Sequence, residues 1–563
     1  MRPKCLSKVT KLLIVQSILA LFLGSCASVA SDPEYFVDAA VPASGNGLSW
    51  DSAFKTIKEA TKIDLLPGSI VWIKPGSYNE TMYVKVSGKE LVPMSTGVDV
   101  KKGNQVKFPS SVDLSKLDLK NHVGRYYLYL ARSWASNNGV YKVISIDKKN
   151  NIVTVEGASF IDESGKTGDL MYLSASIGLP VQFKNSDPAA GKVLLDVSAD
   201  KNSSTVLYIG NGWIEPCGAE APVSNINIDG LTLTGSNTSG GIHIQCGSNI
   251  VVSNCNISNM WGAAGILVNG NKIMPAMYNY LIGNTITDTT SEAIYIGAGG
   301  QGEDCNYTQF THVIDNNISH GADAWMENAI EVKEYHDIGT VIESNSIHDF
   351  ALNNFWNGAI NLQPGADNTL VYSNILRDIT PAYEEDPIYI IGVDAGGDPG
   401  TIESKNIYIF NNLIYNTVPF SDKAYFAFGL RGDHTSNINI FNNSVNNING
   451  ALYLHYDSGN GSDNGVSIFN NIFSVPDMFT SIIEADFCTA FGSFKLSNNL
   501  FTHEINGPYS VSSEWIGDPD FDKDMKPKNI KSIIDRGSSF DILKYDFDFS
   551  NRKDAPDLGA LEE

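Results

Sequence analysis

One short phrase recurs along the second half of the chain. It reads GNTI, DNNIS, SNSIH, YSNIL, FNNLI, FNNSV, FNNIF and SNNLF, each time an asparagine placed two residues before an apolar one. The aligned asparagines are Asn284, Asn316, Asn345, Asn374, Asn412, Asn443, Asn471 and Asn499, at spacings of 32, 29, 29, 38, 31, 28 and 28 residues. Cys255 takes the same place one repeat earlier. Each repeat carries a second short strand: GIHIQ, GILVN, AIYIG, AIEVK, AINLQ, IIGVD, FGLR and LYLH. Strands this short bury nothing alone; stacked coil upon coil they make long parallel sheets around an apolar interior. A side-chain amide at each corner bonds to the amides above and below and tolerates turn backbone angles. The pattern predicts a right-handed parallel β-helix. A fixed corner residue with drifting repeat length argues against a sandwich or propeller.

Two end segments carry a resemblance. YFVDAAVPASGNGLSWDSAFKTIKEATKIDLLPGSIVWIKPGSYNE (35–79) resembles the opening segment of secreted bacterial pectate-lyase-like β-helix proteins, in which a short helix caps the first coil. IGDPDFDKDM, IIDRGSSFD and DAPDLGALEE (within 516–563) are similar to the closing segment of that superfamily. The resemblance implies the fold over most of residues 34–563 and leaves the substrate open, since lyases, hydrolases, an epimerase and adhesins share it.

The expected organisation is a signal peptide (1–25), a tether (26–33), the β-helix (34–505) and a tail (506–563) that folds back along it. Residues 80–200 fit the coil pattern badly. With a hairpin around Lys149-Asn150-Asn151, they read as an antiparallel β insertion against the early coils, shaping one end of a groove.

The first residues set the expected compartment. A basic MRPKCLSK and an apolar LLIVQSILALFLGS end in Leu23-Gly24-Ser25-Cys26, which resembles a bacterial lipobox with Cys26 as the lipidated N-terminus. An ordinary signal peptide cut near Ala27–Ala30 is the alternative. No other run is long enough to span a bilayer, so the expectation is a chain tethered at the outer membrane or cell surface, or facing the periplasm. Its net charge of −24 becomes −28 once Arg2, Lys4, Lys8 and Lys11 leave with the signal. That charge offers no footprint for nucleic acid. It also leaves binding of a polyanionic glycan to local groups. Cys217, Cys246, Cys255, Cys305 and Cys488 show neither a disulfide framework nor a zinc pattern; Cys246 and Cys255 either pair or stay as buried thiols.

Registering the second strands places one outward side chain per coil in a file: Gln245, Asn269, Gly297, Lys333, Gln363, Asp394, Arg431 and His455. The adjacent outward file is His243, Leu267, Tyr295, Glu331, Asn361, Gly392, Gly429 and Tyr453. Within AIEVK, alternation predicts one buried face and one wet face bearing Glu331 and Lys333. An ordinary exposed strand also carries mixed charge. Three features point instead to a binding face. Gly297, Gly392 and Gly429 are read as leaving room for a ligand. Long loops (297–309, 378–387, 394–406, 455–465) crowd this side. Trp325, Tyr335, Trp356, Tyr383 and Tyr425 offer rings for sugar stacking, although core or corner packing is the commoner use of each.

Three functions fit. A polysaccharide lyase acting on uronic acids needs a base, a neutralised carboxylate and an acid. Lys333 as base and Arg431 as clamp resemble the pairs of pectate-lyase-like enzymes, with Glu331, Asn361, Gln363, Tyr295 and His455 binding substrate. Lys333 and Arg431 are three coils apart, about 14 Å, so Arg431 serves a neighbouring subsite. Carboxylates beside Lys333 favour its charged form, against its use as a base. Calcium on Glu331 and Glu334 or Asp337 would reverse that, without a motif to support it. A glycoside hydrolase would use a carboxyl pair drawn from Asp394, Asp433 and Asp457. A non-catalytic glycan-binding or adhesin solenoid is the third. The reading places a lyase ahead of a hydrolase, with polysaccharide as partner and the membrane touched only through the anchor.

Overall fold

The structure is a computed structural model of the 563-residue chain. It describes residues 32–562 except 123, 166–172, 201–204, 211–221, 236–239, 263, 298–306, 321–324, 334–335, 353–357, 382–387, 395–402, 417–424, 432–434, 456–463, 476–482, 487–493, 504–514, 530, 532, 540–543, 549 and 553–555. Three long parallel sheets wind around one apolar core. The first runs from Glu34–Val37 to Phe494–Ser497, the second from Gly76–Tyr78 to Trp515–Ile516, and the third from Met82–Val84 to Ile483–Asp486. Every neighbour in these three sheets pairs in parallel, so the architecture is a parallel β-helix, and parallel crossovers of this kind wind right-handed. The interior is a continuous stack of Ile, Val, Leu and Phe such as Ile294, Ile330, Ile360, Ile391, Phe428 and Leu452.

The turn between the first and second sheets carries the asparagine ladder. Asn284 Nδ2 donates to Asn316 Oδ1 at 3.0 Å, and the same bond repeats through Asn345, Asn374, Asn412, Asn443, Asn471 and Asn499 at 2.9–3.0 Å. Each backbone N–H in the column also donates to the next amide oxygen, and Cys255 N opens the series by donating to Asn284 at 3.0 Å. The residue before each rung is left-handed: Asp315, Ser344, Ser373, Asn411 and Asn442 have φ of 52–57°. A short polar side chain tolerates that region best among non-glycine residues.

At the N-terminal end, helix Ile57–Ala60 buries Ile57 and Ala60 against the first coil, behind a Thr56–Glu59 capping box. After that coil the chain leaves the solenoid. An eight-stranded antiparallel sheet occupies Lys89–Leu179, and Val181–Asn185 then pairs directly with Ile70–Ile73. The insertion has its own core, with Val100, Val106, Phe108, Leu128, Leu130 and Ile177.

Its placement differs from the expectation. It does not stop at the early coils, and it lies on the outward face of the first sheet. Tyr129 packs on Tyr280, Arg132 on Phe310, and Trp134 on Tyr408 and Phe410. Asn138 reaches Glu343 at 2.8 Å and the Tyr372 hydroxyl at 3.1 Å. The contacts therefore run along the solenoid axis, because outward aromatic columns on the first sheet (Tyr372, Phe410, Phe441, Phe469, each stacked at 4.8–5.0 Å) provide a continuous apolar strip.

The tail returns to the ladder corner. Arg552, fully buried, donates to Asn411 Oδ1 and to the carbonyls of Gly559 and Ala560, while Asn442 Nδ2 donates to the Asp557 carbonyl. Of the two readings of Cys246 and Cys255, paired or buried thiols, the pair does not form. Cys255 is a buried free thiol pushed up to about 12 by burial, whereas Cys246 is in a disulfide whose partner lies outside the described residues.

Candidate functional site

Both outward files on the third sheet have the register laid out above. Tyr295 pairs with Glu331, Glu331 with Asn361, Asn361 with Gly392, Gly392 with Gly429 and Gly429 with Tyr453. One step along, Lys333 N donates to Ile296 O and Gln363 N to Val332 O, both at 2.8 Å, and Asp394 pairs with Arg431 and Arg431 with His455. Strand spacing sets successive members about 4.8 Å apart.

The face is not wet as alternation predicted. All of Asn328–Val332 is buried. Glu331 is 2% exposed, Asn361 1%, Tyr453 2% and His243 1%. The neighbouring file, with Lys333, Gln363, Asp394, Arg431 and His455, is partly exposed, as is Tyr295 at the edge of the floor. The site is thus a buried floor beside a half-open polar rim.

Glu331 holds the floor. Its carboxyl accepts from Gln363 Nε2. Burial, then the Glu292 carboxyl, push the Glu331 carboxyl well above the usual carboxylate range, with the Lys333 ammonium acting the other way and Glu327 adding to the rise. Lys333 Nζ lies 5.8 Å from the centroid of the Tyr295 ring. Asp394 and Arg431 form an ion pair at 3.5 Å, so the expected carboxylate clamp already holds a carboxylate of its own. Tyr453 and His455 stand with near-parallel rings 6.2 Å apart, and Tyr389, Phe426 and Tyr453 form an apolar cluster beside the glycines.

Those glycines are not ligand room. A Cβ on Gly429 would fall 2.2 Å from the Tyr389 ring, and one on Gly392 3.1 Å from Asn361 Oδ1. Gly297 has φ +81° and would place a Cβ 2.0 Å from the Lys333 carbonyl, so it answers a backbone demand.

Asp433, Asp457 and Cys26 lie outside the described residues, as do Tyr335, Trp356, Tyr383, Glu334 and most of the long loops. Asp337, a candidate calcium ligand, belongs to the first sheet, where Thr308 and Thr340 donate to its carboxyl at 2.7 and 2.9 Å. Among the described residues no group of three His, Cys, Asp or Glu is placed to hold a metal ion.

Glu292 is the site residue that sequence reasoning missed. Strict alternation sends it inward with Ile294 and Ile296. The ladder pairs Glu292 with Asn328 and then Ile294 with Ile330, and both Ala293 and Ile294 lie in the interior core. Two successive inward residues take Glu292 off that alternation, and its carboxyl raises that of Glu331. The repeated alanine in AIYIG, AIEVK and AINLQ is the signal that marked the bend.

No protein-family model matches the chain, and no curated protein matches it in sequence. Solved structures match along its length. A complex of XylC with xylose has 10% identity over 94% of this chain and 98% of that one, with a TM-score of 0.44. Pectate lyase Pel9A has 12% identity over 95% and 98%, with a TM-score of 0.37. An alginate lyase from a Paenibacillus species has 12% identity over 73% and 95%, with a TM-score of 0.35. These likenesses concern the fold alone.

Proposed function

We propose that this protein cleaves glycosidic bonds in a polysaccharide by hydrolysis. The carrying observation is that one side of the third sheet holds two carboxyls in unlike settings: Glu331, buried and pushed well above the usual carboxylate range, and Asp394, partly exposed and ion-paired with Arg431. Gln363 stands between them. It donates to Glu331 and neighbours Asp394 in the file. By register Asp394 lies two coils beyond Glu331, two strand spacings of about 4.8 Å each between their backbones. Inverting glycosidases use about 6.5–9.5 Å, which leaves space for a water. Glu331 gives its proton to the leaving oxygen as the anomeric carbon–oxygen bond breaks. Water attacks that carbon from the other side and passes a proton to Asp394, with Arg431 holding Asp394 in place. Asp433 and Asp457, each two residues past its strand, are alternative carboxylates for the second role.

β-Elimination on a uronic acid is the second reading. It is favoured by Lys333 and Arg431 lying in one half-open file, with Lys333 beside a carboxyl that burial keeps from ionising. A glycan panel, read in parallel for reducing ends and for the absorbance of unsaturated uronates, separates the two. Under hydrolysis, Glu331→Gln and Asp394→Asn each lower kcat by about 10²–10⁴-fold and Lys333→Ala stays within a few-fold. Loss in Lys333→Ala together with unsaturated products moves the chemistry to a lyase. Binding without any product in the wild type leaves the glycan-binding solenoid.

The chain is further proposed to be exported and anchored through Cys26, a reading supported by the lipobox-like Leu23–Cys26 and by the Cys246 disulfide, since disulfides persist in oxidising compartments. Cys26→Ala should move the protein out of the membrane fraction, and unchanged fractionation removes the anchor from the account.

A further inference from the structure

Trp261 stands at the corner between the second and third sheets, just past strand Asn256–Met260 and ahead of Ile266–Asn269, and it is 45% exposed. Its backbone and its ring are both held. Thr290 Oγ1, on the next coil, donates to the Trp261 carbonyl at 3.1 Å. The ring meets His320 edge-on, with centroids 6.0 Å apart. By register Ser258 pairs with Thr287 and Thr287 with Ser319, so His320 lies two coils on, about 9.6 Å away by strand spacing. A 6.0 Å centroid distance across that gap requires the indole to lean along the solenoid axis, over the intervening coil. His320 is itself buried, and its Nδ1 is 3.7 Å from Asp288. The indole is thus braced at the corner, with much of its surface left to water.

An apolar shelf links this corner to the site. Leu267 pairs with Tyr295 and Tyr295 with Glu331, so the outward file passes from shelf to polar floor within two coils. Ala264, Leu267 and Tyr295 pack together on the shelf. The shelf offers carbon where the floor offers hydrogen-bonding groups. A pyranose chain matches that pattern, since each ring has a C–H face and a hydroxyl edge. Charge decides which sugar fits. Asp288 and Glu292 stand on the same coil as Tyr295. Lys333, whose ammonium is placed over the Tyr295 ring, stands on the coil of Glu331, toward the floor. Arg431 already holds Asp394, and the chain as a whole carries −24. A uronate laid on the shelf would meet like charge both locally and at long range, and a neutral sugar would not.

We infer that the shelf from Trp261 to Tyr295 binds a neutral pyranose of the substrate chain, stacked by its C–H face on the Trp261 indole, about two coils to the N-terminal side of Glu331. The inference rests on the cleavage site proposed at Glu331 and adds a substrate class to it: a glycan whose residue on this side of the scissile bond bears no carboxylate. Trp261 is then a specificity-determining residue. An indole supplies broad, flat contact through few rotatable bonds. Its ring is already braced by His320, so binding orders little that was free.

Hexasaccharide binding to the purified full chain tests it, with a neutral set (xylohexaose, cellohexaose and mannohexaose) and a uronate set (hexagalacturonate and hexaguluronate). Calorimetry gives the affinity, and tryptophan emission reports the covering of an indole. A neutral hexasaccharide should bind and move the emission to shorter wavelength, and each uronate should bind about tenfold more weakly or worse. Trp261→Ala should weaken the neutral sugar about tenfold and remove most of the emission shift, and Trp261→Phe should restore much of the affinity. On a neutral substrate that is cleaved, the loss should fall on KM, with kcat changed far less. Should Trp261→Ala fold poorly by circular dichroism, Trp261→Gln replaces it with the same expectation. The inference is overturned if Trp261→Ala binds as the wild type does, if a uronate binds as tightly as the neutral set, or if no neutral hexasaccharide binds. Its failure is distinct from that of the cleavage site. An unchanged KM for Trp261→Ala in an active enzyme removes the shelf and keeps the site. Neutral binding that depends on Trp261, in a wild type that forms no product, keeps the shelf and removes the hydrolase reading.

Discussion

Asn345 shows what a single rung does. Its Nδ2 donates to Asn374 Oδ1 and to the Val313 carbonyl, both at 2.9 Å, and its Oδ1 accepts from the backbone and side chain of Asn316 at 2.9 and 3.0 Å. The residue is 1% exposed. Replacing it by alanine strands at least one donor and one acceptor in the interior, each worth about 1–3 kcal/mol. Asn345→Ala should therefore lose roughly 3 kcal/mol or more, read as a lower urea midpoint; a midpoint equal to wild type would show the ladder to be decorative. The ladder was legible because every rung is the same residue and the preceding position is nearly always Asn, Asp or Ser. The burial of Glu331 was not, because alternation assigns a side of a strand and says nothing about what later covers that side.

Single strands carried most of the register. AIEVK, AINLQ, IIGVD and FGLR align in the structure as their interior apolar residues require, since a slip by one would drive Glu331 or Asp394 into the core. The bend at Ala293 broke the rule locally and hid Glu292. Between elements, the insertion meets the first sheet at a buried carboxyl. The Glu343 carboxyl, 1% exposed, accepts from Ser136, Asn138 and Tyr372. Burial pushes it up to about 8, against the lowering effect of those donors. A carboxyl whose folded value lies above its unfolded value, near 4.5, binds the extra proton in the folded state. Its contribution is complete below about 4.5 and is lost as pH rises to about 8. Wild-type Tm should fall over that window, and Glu343→Gln should flatten the fall; an identical pH profile in both would remove Glu343 from the docking of the insertion.

At the scale of the molecule, the sequence by itself determined the solenoid. Corner asparagines, short apolar strands and drifting repeat lengths leave few ways to bury that much Ile, Val and Leu, and the repeat makes every coil restate the same instruction. Only the tertiary structure decided where the insertion lies, that the tail locks onto Asn411 and Asn442 through Arg552 and Asp557, and that Glu292 raises the carboxyl of Glu331, thirty-nine residues away. The physical reason is range. Periodicity reports the neighbours a residue has along the chain and in the coils stacked beside it. Docking of a non-repeated segment depends on shape and polar matching between surfaces that share no period. The protonation of Glu331 depends on water being excluded from a floor that no local pattern marks as covered.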